Sequence, residues 1–216
     1  MSQLDSLTYA RKVANLVRAM PGIDNYEGEP TRPRYCHIAA ALADTSLQAG
    51  VRYDTVVAPR VKHILCHYPE LTTVRDSLRA LGDTQPGVLL NWRHPRKPQT
   101  FLDLLKTLES HGVNTCDDLR EWAQISTSRA TLLGIHGIGP KSADYLACLV
   151  GVDIVPVDRH ILSFVKAAGV PWADYSRVRT VFSFAADLLG VRRAILDAAV
   201  WRWAARGKRA AQLRLL

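Results

Sequence analysis

The chain has 216 residues, with Lys plus Arg at 28 against Asp plus Glu at 20, a formal net charge of +8 and a pI of about 9.6. That length supports one well-buried core or two small lobes, and 48% hydrophobic with 22% charged residues argues against long disorder. No apolar run approaches the roughly 18 residues of a membrane span. The N-terminus, MSQLDSLTYARKVANLV, lacks the basic start, apolar centre and small-residue cleavage site of a secretory signal, so a cytoplasmic location is expected, nucleoid-associated in a bacterium. Of the 28 cations 21 are Arg, whose planar forks match phosphate oxygens, so the charge balance tilts toward a polyanionic partner. Cys36, Cys66, Cys116 and Cys148 form no Cys-x-x-Cys, which argues against a zinc site or an iron–sulfur cluster held by four local thiolates. Free thiols are expected.

In chain order, the first helix is predicted from Leu7 to Met20, with Ala10, Val13, Ala14 and Val17 on one stripe and Pro21-Gly22 as the stop. A loop over 21–33 rich in Gly, Pro and Arg follows, then a helix over Tyr35 to Asp44. Further helices are expected over Asp54 to Tyr68, Thr73 to Leu81 (stopped by Gly82), Thr100 to Ser110, Asp117 to Gln124, and Ser128 to Leu133 with Ser128 as a candidate cap. Pro140 to Val150 starts with Pro at the first helical position. His160 to Ala168, Ser176 to Leu189 and Val191 to Arg206 complete the set, the last two ended by Gly190 and Gly207. The stretch Asn91-Trp92-Arg93-His94-Pro95-Arg96-Lys97-Pro98 is basic, has two prolines, and reads as a loop. The fold class is all-α, with about ten helices.

The most informative stretch is Leu132-Leu133-Gly134-Ile135-His136-Gly137-Ile138-Gly139-Pro140-Lys141-Ser142-Ala143. Two apolar helices flank a Gly-Ile-Gly turn. Gly137 and Gly139 permit positive φ and close backbone approach, Ile138 can plug inward, and the amides opening the second helix are left for a phosphate. The same pattern also suits a plain helical corner without a ligand.

Ile135 to Ala143 resembles the helix–hairpin–helix of the DNA glycosylases related to endonuclease III, with Ile135-His136 standing where that family usually has Leu-Pro. Ile154-Val155-Pro156-Val157-Asp158-Arg159-His160-Ile161 then resembles the family's loop with its essential Asp, seventeen residues after Lys141. Lys141 to Asp144 and Val155 to Asp158 look most like the 8-oxoguanine glycosylase branch, which favours an oxidised purine as target. Oxidised pyrimidines, uracil, mismatched thymine and deliberate modifications stay open. The resemblance implies two helical lobes with a DNA groove between them. Residues 31–153 would form a helical barrel ending in the hairpin (about 128–150), and 1–30 with 154–216 the second lobe. It also implies a monomer acting on double-stranded DNA that holds a damaged or mismatched base, without a cofactor or membrane partner. No metal is expected, apart from a monovalent cation that relatives hold at the hairpin carbonyls, here near Ile135 and Gly137.

Breaking a base–sugar bond builds positive charge on the deoxyribose, which a carboxylate stabilises. An amine nucleophile must be neutral to attack, and a helix N-terminus among other cations favours the neutral form. Lys141 is therefore the candidate Schiff-base nucleophile and Asp158 the activating carboxylate, with Asp144 and Asp153 as weaker carboxylates and His160 as an orienting or structural group. A phosphate contact for Lys141 and an N-cap for Asp158 are the plainer alternatives.

A flipped base needs a gap filler and a pocket. Gln48, in Ser46-Leu47-Gln48-Ala49-Gly50, sits where endonuclease III relatives place a gap-filling Gln, or else is a surface residue. Gly137, Ile138, Gly139, Ser142, Arg52, Arg93, His94 and Arg159 are the other candidate DNA contacts. Tyr53 and the loop 92–97 could add to them, as could Arg32 and Arg34 along the groove, or these are solvated surface. The tail adds Arg202, Arg206, Lys208, Arg209 and Arg214, with Trp201 expected to be buried.

Many relatives carry a four-cysteine cluster after the catalytic Asp, and this chain has no Cys beyond Cys148. The expectation is a base-excision glycosylase with lyase activity. A monofunctional glycosylase, a non-catalytic hairpin clamp and a glycosylase for modified foreign DNA are the alternatives.

Overall fold

The computed structural model of the chain describes residues 3–20 and 34–213, with side chains described over 5–20 and 34–204. The loop 21–33 with Arg32, and the side chains of Arg206, Lys208, Arg209 and Arg214, lie outside the described residues. Among the described residues there is no strand; the fold is all-α. Twelve α-helices follow one another among the described residues: α1 Gln3–Ala19, α2 Ile38–Leu47, α3 Ala58–His67, α4 Val74–Asp83, α5 Pro86–Leu89, α6 Arg96–Ser110, α7 Cys116–Trp122, α8 Ser128–Leu133, α9 Pro140–Leu149, α10 Arg159–Ala167, α11 Tyr175–Leu189 and α12 Arg193–Leu213. None of them is long and apolar enough to cross a membrane.

Several boundaries differ from the sequence expectation, each for a local reason. The second helix starts at Ile38 rather than Tyr35, because the His37 ring caps it by accepting the Ala40 amide. Tyr53–Val57 forms one wider π turn before α3. Ser128 is not a cap; it is the first helical residue, and its hydroxyl donates to the Ile125 carbonyl at 2.7 Å. The stretch 91–98 is helical from Arg96 onward. Pro98 falls in the first turn of α6, where an amide has no intrahelical partner to lose. α12 runs through Gly207 to Leu213. Trp201 is not buried: Leu196, Ala199, Val200 and Trp203 share the packed face, and Trp201, one position past Val200, turns off it and is 47% exposed.

The chain divides into two compact units, Met1–Arg32 with Asp153–Leu216, and Pro33–Val152. In the second unit α2 is the central helix. All ten of its residues are buried, and it packs against α3, α4, α6 and α9. A helix covered on every side and mostly apolar belongs inside a bundle. Its alanines let neighbours approach, while Ile38, Leu42 and Leu47 each contribute about 1.5–3 kcal/mol by burial.

In the other unit the stripe Ala10, Val13, Ala14 and Val17 of α1 joins one core with Val178, Val181, Phe182 and Ala185 of α11, and with residues of α10 and α12. α11 ends at Gly190, whose φ of 69° lets the Val191 amide reach back to the Ala186 carbonyl at 3.1 Å.

Among the buried polar groups of Pro33–Val152, one gathers three partners. Asp44 of α2 is completely buried. Its Oδ2 accepts the hydroxyls of Tyr35 at 2.9 Å and Tyr53 at 3.2 Å, and its Oδ1 accepts that of Tyr145 from α9 at 3.0 Å. Burial and then the charge of Asp44 raise the Tyr35 phenol far above its ordinary range and push Tyr53 up to about 12. Both stay protonated and donating at neutral pH. The hairpin between α8 and α9 is fitted against α6 through Gly137, at φ 93°. A Cβ there would stand 2.6 Å from Thr100 Oγ1, which is itself bonded to the His136 carbonyl at 3.0 Å.

Because the phenols titrate higher in the folded chain than in the unfolded one, their contribution is fully present below the ordinary tyrosine value of 10 and is lost as pH rises through about 12. Urea midpoints are expected to fall over that window, and less so in Tyr35→Phe. In the same assay Gly137→Ala should lose about 2 kcal/mol or more. Gly139→Ala, at an extended φ of −96° with nothing within 4 Å of the added Cβ, should lose under about 1 kcal/mol.

Candidate active site

The hairpin presents the start of α9. Ile135 and Ile138 are buried in the unit's core, as the plug reading expects, whereas His136 and Gly137 are exposed. Arg129 of α8 reaches across to Asp144 of α9, Nε to Oδ1 at 2.9 Å, with Asp144 only 1% exposed. Asp144 thereby ties the two hairpin helices together. Gly139 caps α9 without a side-chain bond and Pro140 brings no amide, so the Lys141 and Ser142 amides open the helix with no carbonyl four residues back inside it to receive them. The Ser142 side chain itself is almost wholly covered. Two hairpin carbonyls are engaged within the chain: Ile135 accepts the Ile138 amide and His136 accepts the Thr100 hydroxyl.

Lys141, in the first turn of α9, is half-buried. Its Nζ donates to Gln48 Oε1 at 3.0 Å and lies 5.7 Å from the Tyr145 ring centroid. As an ammonium the Nζ can only donate, and the Gln48 amide turns its oxygen toward it. The structure therefore brings together two residues singled out separately in the sequence, Gln48 and Lys141. Gln48 Nε2 is buried with no acceptor among the described residues. An orphaned buried donor costs about 1–3 kcal/mol, so packing alone does not account for it.

Gln48 follows α2 directly, and its backbone is fixed from both sides. Lys97 Nζ donates to the Leu47 carbonyl and, at 2.7 Å, to the Ala49 carbonyl. The same ammonium lies 4.6 Å from the Trp92 ring centroid, with the Arg60 guanidinium 5.1 Å from it. Burial and then the Arg60 charge hold the Lys97 ammonium below the usual lysine range. Lys97, part of the 92–97 loop read in sequence as a further candidate DNA contact, is thus committed inside the chain. Arg93, His94 and Arg96 are exposed, as are Arg52, Tyr53 and Arg34.

In the other unit, Asp158 caps α10. Its Oδ1 accepts the His160 amide at 2.8 Å and the Ile161 amide at 3.0 Å; both cap bonds use the same oxygen. The preceding Val155, Pro156 and Val157 are buried, and the Val157 amide donates to the Tyr175 hydroxyl at 3.2 Å, so the approach to Asp158 is held firmly. Arg159 is exposed and His160 half-buried. Asp153 receives the Arg193 and Ala194 amides at 3.3 Å each and the Arg193 guanidinium at 3.3 Å, which makes it the anchor of α12.

None of the four cysteines forms a disulfide among the described residues. Burial pushes Cys116 up to about 12, which keeps it protonated. Among the described residues no three His, Cys, Asp or Glu side chains gather as a metal site. Two features escaped the sequence reading: the Asp44 cluster and the Lys97 clamp. Asp44 with Gln48, and Lys141 with Tyr145, each lie one helical turn apart, but nothing in a single sequence pairs the two helices.

The fold and the hairpin have counterparts. The chain matches the structure of the H. pylori 3-methyladenine DNA glycosylase bound to 1,N6-ethenoadenine, with a TM-score of 0.63 and 16% identity over 94% of this chain and 98% of that one. It is 24% identical over 139 residues to the 8-oxoguanine DNA glycosylase/AP lyase of Sulfolobus acidocaldarius, covering 60% of this chain and 68% of the relative. The fold is that of the helix–hairpin–helix DNA glycosylases. A profile described as a domain of unknown function, DUF8548, matches residues 11–205, and the chain belongs to that family.

Proposed function

We propose that the chain is a base-excision DNA glycosylase with an associated abasic-site lyase activity, in which Lys141 is the nucleophile and Asp158 the assisting carboxylate. The observation that carries the reading is the place of the Lys141 amine. It stands in the first turn of α9, directly after the glycine hairpin, with its Nζ held by Gln48. Both relatives named above support base excision, one being called a 3-methyladenine DNA glycosylase, and the other, called an 8-oxoguanine DNA glycosylase/AP lyase, also supports the lyase step.

The hairpin amides and exposed cations such as Arg52, Arg93 and Arg159 hold the phosphates of a duplex whose damaged base is extruded. The neutral Nζ attacks C1′ and the glycosidic bond breaks. The base leaves with the bonding pair and takes up a proton. Nitrogen gives up its proton as the sugar ring opens, leaving an imine. Loss of a C2′ proton then expels the 3′ phosphate and nicks the strand. Asp158, with Oδ1 spent on the cap, offers Oδ2 to the positive charge that grows on the sugar and to the proton that leaves the amine. The likeness of Lys141–Asp144 and Val155–Asp158 to the 8-oxoguanine branch puts oxidised purines first in a substrate panel.

Borohydride trapping on lesion-containing and abasic duplexes tests this. Wild type should form a covalent adduct that Lys141→Ala abolishes, and Asp158→Asn should slow base release by about 100-fold or more. Base release without an adduct would replace this reading with a monofunctional glycosylase. Binding with neither would replace it with a non-catalytic clamp.

A further inference from the structure

We propose that Gln48 is a positioning residue for the Lys141 amine, held in place by Lys97, rather than a filler of the gap left by an extruded base. The proposal rests on the reading of Lys141 as nucleophile. Its grounds are geometric and lie within Pro33–Val152. Gln48 Oε1 accepts from Lys141 Nζ at 3.0 Å, and the carbonyls on either side of Gln48 both accept from Lys97 Nζ. One turn back along α2 and one turn on along α9, Asp44 and Tyr145 make a second rung between the same two helices at 3.0 Å. Gln48 is therefore fixed at its backbone, through its helix and at its amide oxygen.

A gap filler has to enter the base stack with its polar end free. Gln48 is half-buried, its oxygen is engaged, and its Nε2 is enclosed without an acceptor among the described residues. A carboxamide is also the suitable acceptor for a nucleophilic amine. It aims the lone pair through a hydrogen bond without bringing the negative charge that would hold the nitrogen protonated.

Single-stranded abasic oligonucleotides separate the two roles, because they have no stack to fill. Gln48→Ala should slow single-turnover trapping about 10- to 100-fold on single and double strands alike. Its affinity for a duplex carrying a reduced, unreactive abasic sugar should stay within about twofold of wild type. Gln48→Glu should move the pH profile of trapping to higher pH, a change that loss of packing would not produce. Lys97→Met, which touches neither reacting group, should slow trapping on both strands by a smaller factor. Full single-strand rate in Gln48→Ala with weakened duplex affinity would overturn the proposal in favour of gap filling. If wild type traps on no strand, the lyase reading fails separately. Competitive acetylation of the free protein then still decides the positioning claim. Lys141 should label several-fold faster in Gln48→Ala than in wild type, and an unchanged rate would overturn it.

Discussion

A carboxylate without water around it needs donors, and Asp44 takes three from phenols that come from the loop before α2, the turn before α3, and α9. That single group bonds α2 to α9 through Tyr145, inside the apolar core that the two helices share. Losing one partner of such a cluster leaves buried polar atoms unpaired, which costs more than the net worth of each bond. The raised phenols show the same tension from the other side: they remain donors because ionising beside Asp44 in a buried setting is unfavourable. One helical turn beyond this point, the same two helices carry Gln48 and Lys141. The hydrogen bond between those two and the Asp44–Tyr145 bond beneath it join the same pair of helices.

The hairpin is braced in a comparable way. Arg129 and Asp144 tie α8 to α9, Ile135 and Ile138 anchor the turn in the core, and Gly137 lets the turn close on Thr100. What remains outward is the helix start, with its amides and Lys141. Asp158 is fixed by its own cap and by a buried Val-Pro-Val approach, so its free oxygen has a defined direction within its unit. The polar groups proposed to bind, react or aim are thus supported by polar groups that hold the helices carrying them.

Much of the helical plan was legible before any coordinates. The stripes of α1 and α11, the Gly190 stop and the limits of α8 and α9 follow from periodicity and from Gly and Pro placement. Pro98 misled because a breaker in mid-helix is harmless in a first turn, and Trp201 because it sits one residue past the packed stripe. The candidate site was legible as residues and not as contacts. Gln48, Lys141 and Asp158 stand out through motif and spacing. Asp44 looks like one polar residue in an alanine run, and Lys97 like one cation in a basic loop. Their roles depend on pairings across about 50 and 100 residues of chain, which only the packing of α2 against α6 and α9 creates.

The central claim is that one amine, that of Lys141, does the covalent chemistry. Peptide mapping of the borohydride-reduced adduct from wild-type protein and an abasic duplex tests it most directly. The account predicts a sugar remnant on the peptide carrying Lys141, with fragment ions placing it on that side chain. A remnant on Lys97, on the N-terminal amine or on any other lysine, with Lys141 unmodified, would contradict it.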